Sequence, residues 1–89
     1  MIVITSNAGS TYQARIYTSV EEGMQFRFSA SCTEGHLCAA KRVTRKYYGN
    51  EAAESVRLIS DHQEKVKLIG EYAAHQRSPR TFCVFTFNH

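Results

Sequence analysis

The sequence has few cysteines, and it lacks the patterns typical of a disulfide framework, a membrane segment or a targeting signal. Among its 89 residues there is no tryptophan, one proline and three cysteines. An odd cysteine count is a poor basis for disulfides, whereas reduced thiols are normal in the cytoplasm. No apolar run approaches membrane-spanning length, and the N-terminus lacks the basic and apolar regions of a signal peptide. We therefore expect a cytoplasmic protein without a membrane partner.

Motifs for nucleotide binding, common zinc sites and acid–base catalysis are also missing. The sequence has neither G-x-x-x-x-G-K-[ST] nor G-x-G-x-x-G, which build phosphate-binding loops, and it has no C-x-x-C pair. Its eight acidic residues are scattered, so no pair of carboxylates suggests catalysis. We therefore expect no cofactor and no enzymatic activity.

The composition fits one small folded domain over residues 1–89. Apolar residues make up 43% of the chain, which is enough for a single modest core. The net charge of +3 is a mild bias toward acidic partners. It falls short of the strongly basic balance of a dedicated nucleic-acid binder.

Residues 24–49 predict a strand that leads directly into a helix. Apolar and polar residues alternate from Met24 to Ala30, a pattern typical of a strand covered on one face. Thr33 is a good N-cap, Glu34 places negative charge at the start of the helix dipole, and Gly49 suits the position after the last turn. We therefore predict a helix over 34–48. The residues predicted on its apolar side are Leu37, Ala40, Val43, Thr44, Tyr47 and Tyr48.

The other strands are predicted near the two ends of the chain. Residues 2–4 and 12–18, separated by a turn at 7–10, form an antiparallel meander with the strand described above. Residues 81–87 are apolar on both alternating faces, which is typical of a strand inside a sheet and covered on both sides. We place that last strand among the N-terminal ones.

The segment after Gly49 permits two interpretations. Helical spacing of apolar residues favours a helix from Glu51 to about Ser60 that continues to about Ala74. Residues 65–73 also alternate as a strand would, and Gly70 would cost a helix roughly 1 kcal/mol. The sequence thus predicts an α+β fold in the order β-β-α-α-β, with an antiparallel sheet of three to four strands and one or two helices on one face.

The cysteines and histidines offer a weak metal-site pattern. Cys32, His36 and Cys38 are closely spaced, with Cys83 or His75 available as a fourth ligand, but the spacing matches no usual zinc pattern. His36 and Cys38 also point to different sides of the predicted helix. Cys32 precedes a helix N-terminus, where a thiolate is stabilised, yet no residue stands out to orient a catalytic base. We expect Cys32 and Cys83 to be small buried residues, and no metal site.

Positive charge on one side of the predicted helix is the main functional feature. The loop at 75–80 adds further positive charge. Such a surface can contact phosphates or an acidic protein patch, although any solvated helix face can also be charged. The predicted binding residues are Lys41, Arg42, Arg45, Lys46, Arg77 and Arg80.

Residues 31–35, 39–42 and 45–49, which read SCTEG, AAKR and RKYYG, resemble a strand–helix unit common in tiny proteins of phages and mobile elements. Some anti-CRISPR proteins are similar in size, in their sheet-plus-helix composition and in lacking a cofactor motif. The resemblance implies a stoichiometric inhibitor that binds a host nucleoprotein complex and blocks its access to DNA. It maps no functional residue onto this chain.

Two functional hypotheses follow from these features. The first is a non-enzymatic binding protein of the anti-CRISPR type, which contacts its partner through the basic helix face, the 75–80 loop or a strand edge. The alternative is a module that binds nucleic acid directly through the same cations, with Tyr17 or Tyr48 stacking on bases. In that case Arg15 and Arg27 on the solvated face of the sheet, beside Tyr17, extend the basic surface.

Overall fold

The computed structural model describes residues 1–18, 22–23, 25–69 and 82–88 as a mixed α+β fold. Along the chain its elements are β1 (Ile2–Ala8), β2 (Thr11–Tyr17), β3 (Phe26–Cys32), α1 (His36–Tyr48), α2 (Asn50–Glu54), β4 (Arg57–Leu58), α3 (His62–Ile69) and β5 (Phe82–Thr86). The strands form an antiparallel sheet in the order β3-β2-β1-β5-β4. The predicted α+β fold is confirmed, and its sheet has five strands because the short β4 joins one edge.

The C-terminal strand lies inside the sheet, as its two apolar faces predicted. β5 pairs with β1 on one side and with β4 on the other. Val84 and Phe85 point to opposite faces of the sheet, and both are buried. The predicted meander is confirmed as well, since β1, β2 and β3 pair in sequence.

Each face of the sheet has its own cluster of buried side chains. On one face, which we call the helix side, residues of β1, β2 and β5 pack against α1 and α2. On the other face a smaller cluster includes Ile4, Val84 and Ile59. The buried residues of α1 lie on one side of the helix: Ala39, Ala40, Val43 and Thr44. The opposite side of α1 is therefore left facing outward.

The start of α1 differs from the prediction, whereas its end agrees. The N-cap is Gly35, with φ 137° and no side-chain cap, so the prediction of Thr33 as N-cap and of a helix from Glu34 is wrong. The reason is that β3 runs on to Cys32, and the chain then needs a bend before the helix can begin. At the other end Gly49 follows the last residue of α1, as predicted, and its N–H donates to the Arg45 carbonyl.

The predicted helix from Glu51 to about Ser60 is wrong beyond its first turn. α2 ends at Glu54, and β4 then pairs with β5. The N–H of Ile59 donates to the Val84 carbonyl at 2.8 Å, which extends this edge of the sheet. Val56 and Ile59 are spaced as on a helix, but they do not share one helix face. Val56 packs on the helix side of the sheet and Ile59 on the other face.

The strand alternative at 65–73 is also wrong where the structure describes it, because residues 62–69 form α3. Asp61 supports the start of this helix by accepting from the N–H of Gln63 through its side chain and from that of Lys65 through its carbonyl. The remaining part of the alternative, 70–73, lies outside the described residues.

The apolar face predicted for the third strand is only partly buried. Phe28 and Ala30 pack against the helix-side core, but Phe26 is 56% exposed. The pairing between β2 and β3 shifts register between Ile16 and Tyr17, so the ring of Phe26 contacts that of Tyr17 instead. Met24 lies outside the described residues.

Candidate binding surface

The cations of α1 lie together on its outward side, as the sequence predicted. We call Lys41, Arg42, Arg45 and Lys46 the basic surface. Arg42, Arg45 and Lys46 are exposed, and Lys41 is half-buried. These positions alternate along the helix with the buried residues that hold α1 on the sheet, so packing of the apolar side fixes the direction of the charged side.

The charges of the basic surface are not neutralised by carboxylates of the described residues. Within those residues, the ion pair formed is Arg57 with Glu64, at 3.5 Å and away from α1. Arg42 donates instead to the backbone carbonyl of Ser31 at 3.2 Å, which holds its guanidinium beside the end of β3. The positive charge of the surface therefore remains available to an external anion.

A shallow groove of about 420 Å³ runs along the same side of α1. Leu37 stands among its charged residues and is 49% exposed, so the prediction that it belongs to the apolar side of the helix is wrong. The groove is lined by Glu34, Leu37, Cys38, Lys41, Arg42 and Arg45. It thus combines one apolar side chain with three cations and one carboxylate.

The aromatic rings expected to stack on bases are engaged within the fold. Tyr17 is 7% exposed, and the ring of Tyr48 packs against those of Phe28 and Phe87. Tyr47, predicted on the apolar side, is partly exposed, but its ring stacks on Phe28 with centroids 4.1 Å apart. Base stacking by Tyr17 is therefore not supported, since its ring is buried.

Further cations lie on the opposite face of the sheet. Arg15 pairs with Ser29 across β2 and β3, whereas the neighbouring pair of Ile16 and Phe28 faces the helix side. Arg15 and Arg27 are both exposed on this second face, as expected. They cannot act together with α1 on a single flat partner. Arg77 and Arg80 lie outside the described residues.

A second cluster brings Cys32, Glu34 and Cys38 together where β3 passes into α1. The two sulfur atoms and a carboxylate oxygen lie within 4.8 Å of one another. The thiol of Cys38 donates to Oε2 of Glu34 at 3.4 Å, and the N–H of Glu34 donates to the sulfur of Cys32 at 3.4 Å. Cys32 is buried, as predicted, while Cys38 is half-buried and Glu34 is exposed at the head of the groove.

The two thiols of this cluster differ strongly in acidity. The neighbouring Cys38 thiol is the main cause that lowers the pKa of Cys32, helped by the Glu34 N–H and by the charge of Arg42 against the opposing effect of burial. The Cys32 thiol in turn raises the pKa of Cys38 to about 11, with burial and Glu34 adding to the effect. Cys32 is therefore the thiol that ionises first.

The other residues of the predicted metal pattern lie elsewhere. Nδ1 of His36 shares a 2.8 Å hydrogen bond with the buried hydroxyl of Thr5, and its ring packs edge-on against Tyr12. Cys83 was predicted to be buried, but in β5 it is only half-buried, and it pairs with Thr5 across the sheet. His75 lies outside the described residues. The expected divergence of His36 from Cys38 thus agrees with the structure.

Glu34 is the member of the cluster that the sequence pattern did not reveal. The sequence predicts Glu34 as the first residue of the helix, where its charge would only stabilise the dipole. Because α1 begins two residues later, Glu34 lies in the bend between strand and helix and turns back toward Cys38. A carboxylate between two cysteines, in the order Cys32-x-Glu34-x-x-x-Cys38, was the available signal.

Comparisons with known proteins give no relative from which a function can be transferred. No family model, curated protein or solved structure matches the chain. Among the residues that the structure describes, no helix is both long and apolar enough to cross a membrane. The resemblance to anti-CRISPR proteins therefore stays a prediction.

Proposed function

We propose that the protein is a non-enzymatic binding protein that inhibits a host nucleoprotein complex by docking the basic surface of α1 on an anionic part of it. The observation that carries this proposal is the position of four cations on one outward helix face without a carboxylate partner among the described residues. The cytoplasm is the proposed compartment, because such complexes act there and the chain's unpaired thiols would remain reduced.

The apolar side chain inside the groove supports a partner that contains protein. Leu37 is exposed among cations, and protein interfaces commonly place apolar side chains within a polar rim. A surface that binds only phosphates gains nothing from a leucine there, since phosphate contacts require charge and hydrogen bonds. A complex of protein and nucleic acid offers both an apolar contact and dense negative charge.

Arginines of the surface are expected to carry more of the binding than its lysines. Arg42 and Arg45 can each donate two parallel hydrogen bonds to a carboxylate or phosphate, whereas a lysine acts as a point charge. Arg42 is also held in place by the Ser31 carbonyl, so less side-chain freedom is lost when it binds. Rim charges mainly speed association, so binding should weaken as salt rises.

Charge reversal tests the proposal directly. The variant R42E/R45E/K46E removes the positive side of α1, and R15E/R27E reverses two exposed arginines on the opposite sheet face as a matched control. In cells with an active CRISPR system, the wild-type chain and the control should protect a targeted phage. The triple variant should lose protection, because its binding is expected to weaken by at least about tenfold, or roughly 1.4 kcal/mol.

The result that contradicts the proposal is equal protection by the triple variant and the wild type. In that case another surface carries the binding. Exposed substitutions of this kind usually change stability by less than about 0.5 kcal/mol, so we expect all variants to fold. Circular dichroism checks that they do.

Direct binding of nucleic acid is the alternative use of the same surface. Because Tyr17 is buried, such a binder would depend on phosphate contacts more than on stacking. If all four cations each neutralise one phosphate of a duplex, log K should fall with log salt at a slope of about −3.6. A gel shift with free DNA and RNA, compared with binding to the assembled complex, distinguishes the two functions, since the inhibitor should leave free nucleic acid unshifted.

A further inference from the structure

The residues between β3 and α1 form a group whose chemistry differs from that of the basic surface. Two sulfur atoms and one carboxylate oxygen, from Cys32, Cys38 and Glu34, converge within 4.8 Å. We propose that these three side chains bind one Zn²⁺ ion as two thiolates and a carboxylate, with the fourth position open to water. This proposal does not rest on the proposed function, because none of the four cations is a ligand.

The distances in the cluster are close to those that a tetrahedral zinc ion requires. Zinc bonds of about 2.3 Å to sulfur and about 2.0 Å to oxygen place a sulfur and an oxygen ligand about 3.5 Å apart, and two sulfurs about 3.8 Å apart. The sulfur of Cys38 already lies 3.4 Å from Oε2 of Glu34. Since no pair of ligand atoms exceeds 4.8 Å, the two sulfurs need to close by at most about 1 Å, and the sulfur of Cys32 and the Glu34 oxygen by at most about 1.3 Å.

The surrounding backbone holds the ligands in place. Cys32 lies at the paired end of β3, and Cys38 lies in the first turns of α1, so both come from regular elements. The N–H of Glu34 donates to the sulfur of Cys32 at 3.4 Å, an outer-shell contact that fixes a thiolate ligand. Glu34 lies in the short bend between the two elements, which leaves its carboxylate room to adjust.

The donor set and the charges favour zinc over harder cations. Calcium and magnesium prefer oxygen ligands, whereas zinc accepts both thiolate and carboxylate. Three anionic ligands and one Zn²⁺ carry a net charge of −1, and Arg42 on the Ser31 carbonyl supplies a positive charge nearby. The groove along α1 gives the ion a path to the open position, because Glu34 and Cys38 both line it.

Binding of one Zn²⁺ ion releases two protons. The ion replaces the S–H protons of Cys32 and Cys38, which pass to the buffer, and Glu34 exchanges its hydrogen bond from Cys38 for a bond to the metal. No electron is transferred. Affinity for the metal should therefore rise with pH, as it does for any site with thiolate ligands.

Cobalt is the probe for this site, because Co²⁺ takes the place of zinc and absorbs light when thiolates coordinate it. The full-length, reduced chain is titrated with Co²⁺ and then with Zn²⁺. We expect a charge-transfer band in the near ultraviolet and visible bands of tetrahedral geometry, which saturate at one Co²⁺ per chain and disappear when Zn²⁺ is added. Native mass spectrometry of the zinc form should give the same stoichiometry.

The ligand variants are C38S and E34Q, and their matched controls are C83S and E51Q. We expect C38S to lose at least 100-fold in affinity and E34Q at least tenfold, since loss of an outer-shell partner alone costs about 10- to 100-fold. C83S and E51Q should bind as the wild type does, because Cys83 lies in β5 and Glu51 in α2. Cys38 and Glu34 are not buried, so these variants should keep the fold.

Three results would each contradict the proposed zinc site. One is the absence of a charge-transfer band at a stoichiometric concentration of Co²⁺. Another is a C38S variant that binds as tightly as the wild type. The third is an E34Q variant with unchanged affinity and spectrum, which would show that the carboxylate is not a ligand.

Discussion

Gly49, between α1 and α2, adopts a backbone conformation that only glycine tolerates well. Its φ is 98° and its ψ is 174°, and a Cβ built at this position meets no atom within 4 Å. Replacement by alanine therefore causes no clash, and the entire cost is backbone strain. Strain of this kind is worth about 1–3 kcal/mol per residue. For a domain of this size, a loss of about 2 kcal/mol lowers Tm by roughly 8–16 °C.

The assay is urea denaturation of the wild type and G49A, with unfolding monitored by circular dichroism. A thermal melt of each protein supports it. A matched control is D-alanine at position 49, introduced by chemical synthesis. The mirror image of the Gly49 conformation is an extended one, so D-alanine adopts this backbone conformation without strain. We expect its free energy of unfolding to equal or exceed that of the wild type, because the unfolded chain loses freedom. The explanation by strain fails if G49A unfolds within about 0.5 kcal/mol of the wild type, or if D-alanine destabilises as much as L-alanine.

Three further predictions concern the core and the thiols. Phe85→Ala should cost about 3–5 kcal/mol, because the ring is buried in the core on the helix side of the sheet. Leu58→Ala on the neighbouring strand should cost less than about 1 kcal/mol, since that side chain is half-exposed. Urea unfolding measures both. Thr5→Val should cost about 1–3 kcal/mol through loss of the hydrogen bond to the α1 imidazole, and Thr5→Ser should retain most of it, as thermal melts would show. In metal-free protein, Cys38→Ala should raise the pKa of Cys32, because the neighbouring Cys38 thiol is the main cause of its lowering. The ¹³Cβ shift of labelled cysteine, measured as a function of pH, reports this pKa, and an unchanged midpoint contradicts that cause.

The spacing of apolar residues predicted helices and strands well where an element packs through a continuous apolar face. The alternation in β3 and the double apolar run of β5 identified strands, since burial on one or both faces leaves a period of two in the sequence. The buried side of α1 followed from its helical period in the same way, except that Leu37 and Tyr47 are exposed and that the buried Ala39 was not predicted. These elements are recognisable because each packs one continuous surface.

The segment around Val56 could not be predicted from its period, because it contacts both faces of the sheet. Val56 packs on the helix side and Ile59 on the other, and two residues between them pair with β5. Their spacing of three residues looks helical, although it arises from a chain that crosses the edge of the sheet. Only the partner strand, which lies more than 20 residues away in sequence, decides between the two structures.

The candidate site could also be predicted only in part, because one of its contacts depends on where a strand ends and a helix begins. The outward cations of α1 were predictable because their direction follows from packing of the opposite side of the helix. The approach of Glu34 to Cys38 was not, since it depends on where β3 ends and α1 begins. A shift of two residues in the helix start turns a dipole-stabilising carboxylate into a partner of two thiols.

The two proposed sites share the groove along α1, and their charges determine how they can influence each other. The basic surface and Glu34 together carry +3, since four cations are opposed by one carboxylate. Zinc adds two positive charges while two thiol protons leave, so the basic surface together with the loaded metal site also carries +3. Electrostatic attraction to an anionic partner should therefore be unchanged by the metal. Any effect of zinc on partner binding must come from its position beside Leu37, through fixing the start of α1 or through a ligand that the partner supplies at the open position. Comparison of partner affinity between C38S and wild type, each with and without zinc, shows whether such an effect exists, because only the wild type should respond to the metal.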